Sequence, residues 1–156
     1  MLTVTIPGWK ILQLTHMVLD YNGTIALDGC LIDGVKPRLT ALAASLTIHI
    51  LTADTFGCVR EAVAGLPCQL AVIPVDRQAE AKLAYVLELG PQACVCIGNG
   101  RNDRLMLKEA ALGMALVQAE GAAPEAILAA DVVSCSILEA FDLLCRSLRL
   151  TATLRS

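Results

Sequence analysis

The residue with the clearest capacity for chemistry is Asp20, which ends the apolar run 17–19 and stands three residues before Gly23 and Thr24. A short buried strand that stops at an aspartate before a glycine turn holds that carboxylate at the carboxyl edge of a sheet, where open α/β sheets place their ligands. A carboxylate held there can attack phosphorus or bind Mg²⁺. Taken alone, the spacing is equally typical of an aspartate that caps a turn.

Three more polar side chains follow along the chain in an order that suits the same chemistry. Thr52 ends a second apolar run, Lys82 lies in a helix predicted over 76–89, and Asp103 follows a third apolar run and a stretch of glycine and asparagine. Phosphoryl transfer mainly requires positioning and the neutralisation of charge, so these residues and Asp20 form a suitable set. Lys82 by itself is explained as well by a solvated helix surface, and only the other residues favour a place in the site.

Three segments resemble motifs of the haloacid-dehalogenase-like (HAD) phosphotransferase superfamily. They are DYNGT at 20–24, LTAD at 51–54 and GNGRND at 98–103. They are most similar to the DKTGT, TGD and GDGxND segments in the phosphorylation domain of P-type ATPases and its free-standing soluble relatives. The resemblance runs from about 14 to 144 and implies a Mg²⁺-dependent phosphatase or phosphotransferase that works through an aspartyl-phosphate.

The resemblance implies a catalytic role for four residues of this chain. Asp20 is the nucleophile, Thr52 donates a hydrogen bond to the phosphoryl oxygens, and Lys82 neutralises their charge. Asn102 contacts the phosphoryl group or the nucleophile. Asp54 has two alternative roles, since it either caps the next helix or supports Thr52.

The implied Mg²⁺ ligands are Asp20, the backbone carbonyl of Asn22, Asn99 and Asp103, although Asp103 alternatively orients Lys82.

Two of these positions depart from the family pattern. Many HAD phosphatases have an acid–base aspartate where this chain has Asn22, and an amide cannot exchange a proton near neutral pH. P-type ATPases also lack a carboxylate there. Asn99 replaces the first aspartate of GDGxND, so we expect weak metal binding and slow turnover.

The pattern of apolar runs predicts one α/β domain over 1–150 and a loose tail over 151–156. Strands alternate with helices, which indicates a doubly wound parallel sheet with helices on both faces, preceded by an N-terminal β-hairpin. About 27 residues separate Thr24 from Thr52, too few for the cap domain of many HAD enzymes. The predicted strands are 2–6, 10–14, 17–19, 47–51, 70–74, 93–97, 113–117 and 132–133. The predicted helices begin at Val35 or Pro37 and end at 44, and then span 55–64, 76–89, 102–110, 124–129 and 137–148.

Composition narrows the class of protein. Hydrophobic residues make up 56% of the 156 residues but aromatic residues only 3%, so the core is aliphatic, as in parallel sheets buried on both faces. The net charge of −3 offers no basic patch for nucleic acid. We find neither a membrane span nor a secretory signal. Seven cysteines at irregular spacing argue against a disulfide framework and favour the cytoplasm.

Several alternatives remain open from the sequence. Cys94 and Cys96 share one strand face, which suits either a metal pair or, in better agreement with their apolar neighbours, buried thiols. The protein is either the enzyme described above or a non-catalytic module that binds phosphate, nucleotide or a protein. An enzyme of this type acts on a phosphorylated small molecule or a phosphoprotein. A homo-oligomer is left open, with the glycine-rich loop 26–34 as a candidate contact.

Overall fold

The computed structural model describes residues 1–54 and 58–156 and shows an α/β fold in three layers. Its strands are β1 (Leu2–Ile6), β2 (Lys10–Leu14), β3 (His16–Asp20), β4 (Ala26–Leu27), β5 (Cys30–Leu31), β6 (Thr47–Thr52), β7 (Cys68–Val72), β8 (Cys94–Gly98), β9 (Leu112–Leu116) and β10 (Val132–Ser134). Its described α-helices are α1 (Val35–Leu42), α2 (Cys58–Ala62), α3 (Gln78–Leu89), α4 (Arg104–Glu109), α5 (Pro124–Ala129), α6 (Ile137–Cys145) and α7 (Ser147–Leu154).

Six strands form a parallel sheet in the order β10-β9-β8-β3-β6-β7. The central strand β3 pairs with β6 on one side and β8 on the other, so that Asp20 lies opposite Leu51 and Leu19 lies opposite Ile97. Since all six strands run in one direction, their carboxyl ends meet at one edge. This confirms the predicted fold class and places the ends of β3, β6 and β8 side by side.

Two aliphatic layers cover the sheet, and β3 supplies side chains to both. Met17 and Leu19 point into the larger layer, which also contains residues of α1 and α6, whereas Val18 points into the layer formed with α3, α4 and α5. The alternation follows from the period of two along a strand. Helices therefore lie on both faces, as the apolar runs predict.

The N-terminal hairpin is present, with β1 and β2 antiparallel and Leu2 opposite Leu14. No cap domain is inserted between β3 and β6, where the chain forms only α1 and the short antiparallel pair β4–β5. That pair lies in the glycine-rich segment 26–34, which the sequence predicts as a loop. None of the described helices is long and apolar enough to cross a membrane.

Some predicted boundaries differ from the structure. The closing helix predicted over 137–148 is interrupted at Arg146, whose backbone is not helical, and α7 follows it. The segment 151–156, predicted to be loose, is helical through Leu154, and the Ser156 amide donates to the Pro7 carbonyl over 3.3 Å. The hairpin gives this tail a surface on which to pack. The start of the helix predicted over 55–64 lies outside the described residues.

A partly buried chain of hydrogen bonds links α3 to the sheet. His16 Nδ1 lies 3.0 Å from His49 Nε2, and His49 Nδ1 lies 2.9 Å from the Tyr85 hydroxyl. His16 is on β3, His49 is on β6, and Tyr85 is on α3, three residues after Lys82. This chain therefore helps to set the position of the helix that bears Lys82.

We expect His49 to make the protein less stable as the pH falls below 6.5. Burial and the neighbouring His16 lower the pKa of His49 to about 4 from an ordinary value of 6.5. The unfolded chain therefore binds a proton that the folded chain does not, and up to about 3 kcal/mol is lost between pH 6.5 and 4. Urea unfolding of the parent and His49→Gln at pH 7 and 4.5 measures this, because the variant loses less stability on acidification. An equally steep loss in both proteins would contradict the prediction.

Candidate active site

Lys82 lies between two carboxylates in the interior of the protein. Its Nζ is 2.6 Å from Asp20 Oδ1 and 2.6 Å from Asp103 Oδ1, and only 1% of its side chain is exposed. Lysine is almost never buried to this extent without partners. The structure thus brings together three of the predicted site residues, and a solvated helix lysine does not describe Lys82.

The charges of this cluster are strongly coupled. Burial lowers the pKa of Lys82, but the carboxylates of Asp20 and Asp103 outweigh this effect and raise it above its ordinary value. Burial and the Asp20 carboxylate raise the pKa of Asp103 to about 6, against the opposing effects of Lys82 and the Gly100 N–H. With both acids ionised, the cluster has one negative charge in excess, which suits the approach of a cation.

Both oxygens of Asp103 have donors within the protein. Oδ1 accepts from Lys82, and Oδ2 accepts from the backbone N–H groups of Asn99 and Gly100 over 3.0 and 2.8 Å. Gly98 makes this approach possible, because a Cβ at that position would collide with the Asp103 carboxyl group. Of the two roles left open by the sequence, this arrangement favours the orientation of Lys82 over metal binding.

Asp20 ends β3 and is followed by a tight turn that reaches Asn99. The Thr24 hydroxyl lies 3.2 Å from Asp20 Oδ2 and 3.4 Å from Asn99 Oδ1. Gly23 has φ of 75°, and a Cβ there would collide with the Asn99 amide. Only glycine meets both conditions, so the Gly-Thr pair after Asp20 has a structural reason in this chain.

Gln118 is a functional candidate that the sequence analysis missed. Its Nε2 lies 3.0 Å from the carbonyl oxygens of Gly23 and Thr24, and its Oε1 accepts from the Ile137 N–H over 2.7 Å. The side chain therefore ties the turn after Asp20 to the first residue of α6. The one available signal was its position just beyond β9, at the same sheet edge as Asp20.

A cleft of about 420 Å³ opens over these side chains and brings in the remaining predicted residues. Asp20, Asn22, Thr52, Asn99 and Asn102 line it. Asn22 is exposed at this surface, whereas Thr52 is buried except for 4% of its area. All the predicted site residues therefore meet at one edge of the sheet, either in the cleft or in the ion cluster beneath it.

The polar groups of Thr52 and Asn102 have defined partners. Thr52 Oγ1 accepts from the Asp54 backbone N–H over 3.1 Å, which leaves its own proton for a ligand. Asn102 Nδ2 donates to Gln78 Oε1 over 2.7 Å. Asp54 therefore supports Thr52 through its main chain. Its alternative role as a helix cap concerns a helix start outside the described residues.

The described residues of the site do not form a metal site built from several carboxylates. In the parts of the chain that the structure describes, no group of three or more His, Cys, Asp or Glu side chains is placed to hold a metal ion. Asn99 Nδ2 donates to the Gly121 carbonyl over 2.9 Å, and Asn99 Oδ1 faces the Thr24 hydroxyl. The atoms available to bind a metal ion are thus oxygens, and only some of them are charged.

The fold is shared with phosphatases of the HAD superfamily. A crystal structure of the Moraxella catarrhalis 3-deoxy-D-manno-octulosonate 8-phosphate phosphatase, in complex with magnesium, phosphate and KDO, matches with a TM-score of 0.72 at 15% identity, over 86% of this chain and 87% of that one. A zinc-transporting PIB-type ATPase in its E2.Pi state matches with a TM-score of 0.60 at 24% identity, over 78% of this chain and 20% of the pump. The molecule therefore has the fold of these HAD domains, without an inserted cap between β3 and β6.

Sequence similarity to one protein shows the family of this chain. The uncharacterized protein MJ0073 of Methanocaldococcus jannaschii is 48% identical over 79 residues, which amount to 48% of this chain and 85% of that protein. The chain belongs to the same family as MJ0073. No protein-family model matches the sequence.

Proposed function

We propose that this protein is a Mg²⁺-dependent phosphatase or phosphotransferase that forms an aspartyl-phosphate at Asp20. The observation that supports this most strongly is the buried Lys82 ammonium, which lies 2.6 Å from both Asp103 and Asp20, the latter lining a polar cleft. The similar Moraxella catarrhalis enzyme, which acts on a phosphorylated sugar acid, binds magnesium and phosphate. A phosphorylated small molecule or a phosphoprotein is the corresponding substrate here.

In the proposed reaction, a carboxylate oxygen of Asp20 attacks the phosphorus atom of a phosphomonoester. A bond forms between Asp20 and phosphorus, the ester P–O bond breaks, and the departing alkoxide takes a proton from water. Lys82 neutralises charge on the phosphoryl oxygens, while Thr52 and Asn102 donate hydrogen bonds to them. A second water then attacks the aspartyl-phosphate, releases inorganic phosphate and restores the Asp20 carboxylate.

Asn22 makes the second step slow. An amide neither gives a proton to the leaving group nor accepts one from the attacking water near neutral pH. Asn22 is exposed at the cleft beside Asp20, which is where such a group acts. The aspartyl-phosphate therefore accumulates, as the similarity to the P-type ATPase motif also suggests.

The oxygen donors of the cleft fit Mg²⁺, which prefers hard oxygen ligands. Asp20, the Asn22 carbonyl and Asn99 Oδ1 would hold the ion, with Asp103 as an outer carboxylate that retains Lys82. When bound, the ion supplies positive charge that stabilises the transferring phosphoryl group. Because Asn99 is neutral, this set has one negative charge less than a site with an aspartate there, and we propose weak binding.

We expect Asn99→Asp to bind Mg²⁺ more tightly than the parent, by about tenfold or more, because a hard cation prefers an anionic oxygen. Titration calorimetry with MgCl₂ measures both affinities without any turnover. Asn102→Asp is the matched control, since it adds the same charge on the Gln78 side of the cleft. Equal affinities in the parent and Asn99→Asp, or an equal gain in the control, would place Asn99 outside the coordination shell.

The proposed function is tested with the purified protein and a small phosphodonor. Incubation with ³²P-labelled acetyl phosphate and Mg²⁺ is expected to label the protein through a bond that hydroxylamine cleaves, as an acyl phosphate requires. A set of phosphorylated metabolites, with and without Mg²⁺, then tests for hydrolysis. If the protein is neither labelled nor able to hydrolyse any of these esters, the proposal that it is an enzyme of this type is wrong.

A non-catalytic module that binds phosphate or a nucleotide is the second candidate. Asn22 and Asn99 favour it, because many HAD phosphatases have an aspartate at the first position and the GDGxND motif has one at the second. Such a module binds inorganic phosphate in calorimetry without hydrolysis or labelling of Asp20. The same two experiments therefore distinguish the candidates.

The cysteines support the proposal of a reducing, cytoplasmic location. Cys94 and Cys96 are fully buried among apolar side chains. Burial raises the pKa of Cys94 to about 11 and raises the pKa of Cys96 well above its ordinary value, so both remain thiols. Of the two sequence interpretations, this environment favours buried thiols over a metal pair. Assembly of several copies through the loop 26–34 stays a prediction.

A further inference from the structure

A second hollow, here called the outer pocket, opens beside the catalytic cleft. Its volume is about 500 Å³, and it shares two lining side chains, Gln78 and Asn102, with the cleft. Because the Asn102 amide donates to Gln78 Oε1 over 2.7 Å, these side chains form a ridge between the two spaces. A substrate with its phosphoryl group at Asp20 can extend over this ridge into the outer pocket.

The charges around the outer pocket favour an anion. Arg101 and Arg104 line it, and among its described lining residues the single acid is Glu80, which is exposed. Arg104 Nη1 donates to the Arg101 carbonyl over 2.8 Å, and no carboxylate of the described residues lies within ion-pair distance of Arg104. Four of its five N–H donors therefore remain available for a ligand.

The two arginines differ in how freely they can bind a ligand. Arg101 is 75% exposed and pairs with Glu125 over 3.2 Å, so much of its charge is already balanced. Arg104 is partly buried, and its contact with the Arg101 carbonyl orients the guanidinium without neutralising it. An arginine fork of this kind matches the two oxygens of a carboxylate or a phosphate. Arg104 is thus the main candidate for anion binding.

We propose that the outer pocket binds the leaving group of the substrate, and that this group has a carboxylate or a second phosphate that pairs with Arg104. The proposal rests on the proposed function, since the cleft must hold the phosphoryl group. It narrows the substrate class to phosphomonoesters with a second acidic group. Val75 and Ala79, which also line the pocket, would contact the carbon skeleton between the two anions.

A matched pair of esters tests the proposal. 3-Phosphoglycerate and glycerol 3-phosphate have the same three-carbon skeleton and differ in a carboxylate against a hydroxymethyl group. We expect kcat/KM for 3-phosphoglycerate to exceed that for glycerol 3-phosphate by about five- to tenfold, as for a partly exposed charged contact. Calorimetric titration of Asp20→Asn with each ester measures the same preference as binding, independently of turnover.

Four variants test which side chain causes the preference for 3-phosphoglycerate. Arg104→Gln is expected to abolish it while activity on glycerol 3-phosphate stays unchanged, and Arg104→Lys is expected to keep part of it because the charge remains. Glu80→Gln is expected to increase the preference, since it removes the opposing carboxylate. Lys108→Gln is the control, because Lys108 is an exposed cation on the same helix that does not line the outer pocket.

The outcomes separate this proposal from the proposed function. The proposal for the outer pocket is supported if the preference for 3-phosphoglycerate is lost in Arg104→Gln and kept in Lys108→Gln. This holds even if the preference is seen only in binding and neither ester is hydrolysed. In that last case the proposed activity would fail while the anion site stands. Absence of a preference in the parent, or a preference that Arg104→Gln leaves intact, would overturn the outer-pocket proposal.

Discussion

Replacing Asp20 with asparagine is expected to abolish labelling by acetyl phosphate and to lower turnover by about 10⁴-fold or more, as the loss of a nucleophile does. The substitution keeps the shape of the side chain but removes its negative charge, and an amide oxygen does not form a stable acyl phosphate. Lys82 keeps its second partner, since Asp103 Oδ1 also lies 2.6 Å from Nζ. The ion cluster therefore survives in part, and the variant is expected to fold.

The measurement is steady-state hydrolysis together with ³²P labelling of the parent and Asp20→Asn. Asp33→Asn serves as the control, because Asp33 is an exposed aspartate on the loop before α1. Thermal unfolding checks that both variants are folded. A folded Asp20→Asn protein that hydrolyses phosphate esters as fast as the parent would show that the nucleophile lies elsewhere.

The positions of Asp20, Thr52 and Asp103 could be predicted because a simple rule of sheet geometry applies to them. Asp20 and Thr52 end strands of the parallel sheet and Asp103 follows one, and such strands end at one edge. The rule needs only the apolar runs and the residues that end them. The same reasoning gave the fold class, since alternating strands and helices have few alternative arrangements.

Lys82 and Gln118 show where sequence reasoning reached its limit. The burial of Lys82 depends on how α3 packs against the sheet, which no local pattern of the helix reveals. Gln118 satisfies two carbonyl groups and one N–H that are distant in sequence, so its role exists only in three dimensions. The tail from 151 was predicted as loose for the same reason, because the hairpin surface that receives it lies at the other end of the chain.

The partners of Asp103 also changed the interpretation of the site. The motif resemblance offered it as a metal ligand or as a partner of Lys82, and the sequence could not separate the two. In the structure, three donors surround its carboxylate, which favours the second role. Together with the neutral Asn99, this leaves Asp20 as the remaining carboxylate among the implied metal ligands, and it explains why we expect weak Mg²⁺ binding.

Asn22→Asp is expected to hasten breakdown of the aspartyl-phosphate and to raise steady-state turnover. General acid–base catalysis typically contributes ~10²–10⁴-fold, and a carboxylate at this position can recover part of it. The gain is expected to fall toward the lower end of that range, since the added negative charge repels the phosphate and increases the net charge beside Asp20. Asn22 is exposed at the cleft, so the new carboxylate has room and access to water.

Rapid-quench decay of the ³²P-labelled protein measures this effect directly in the parent and in Asn22→Asp. Gln78→Glu is the matched control, because it adds the same charge to the same cleft and keeps an acceptor for the Asn102 amide. Adding Asp20→Asn to the Asn22→Asp protein is expected to abolish both labelling and turnover. If a folded Asn22→Asp protein that still binds Mg²⁺ loses its label no faster than the parent, Asn22 does not occupy the acid–base position. Slow breakdown of the aspartyl-phosphate would then have a cause other than Asn22. The similarity to the ATPase motif would no longer explain that slow step.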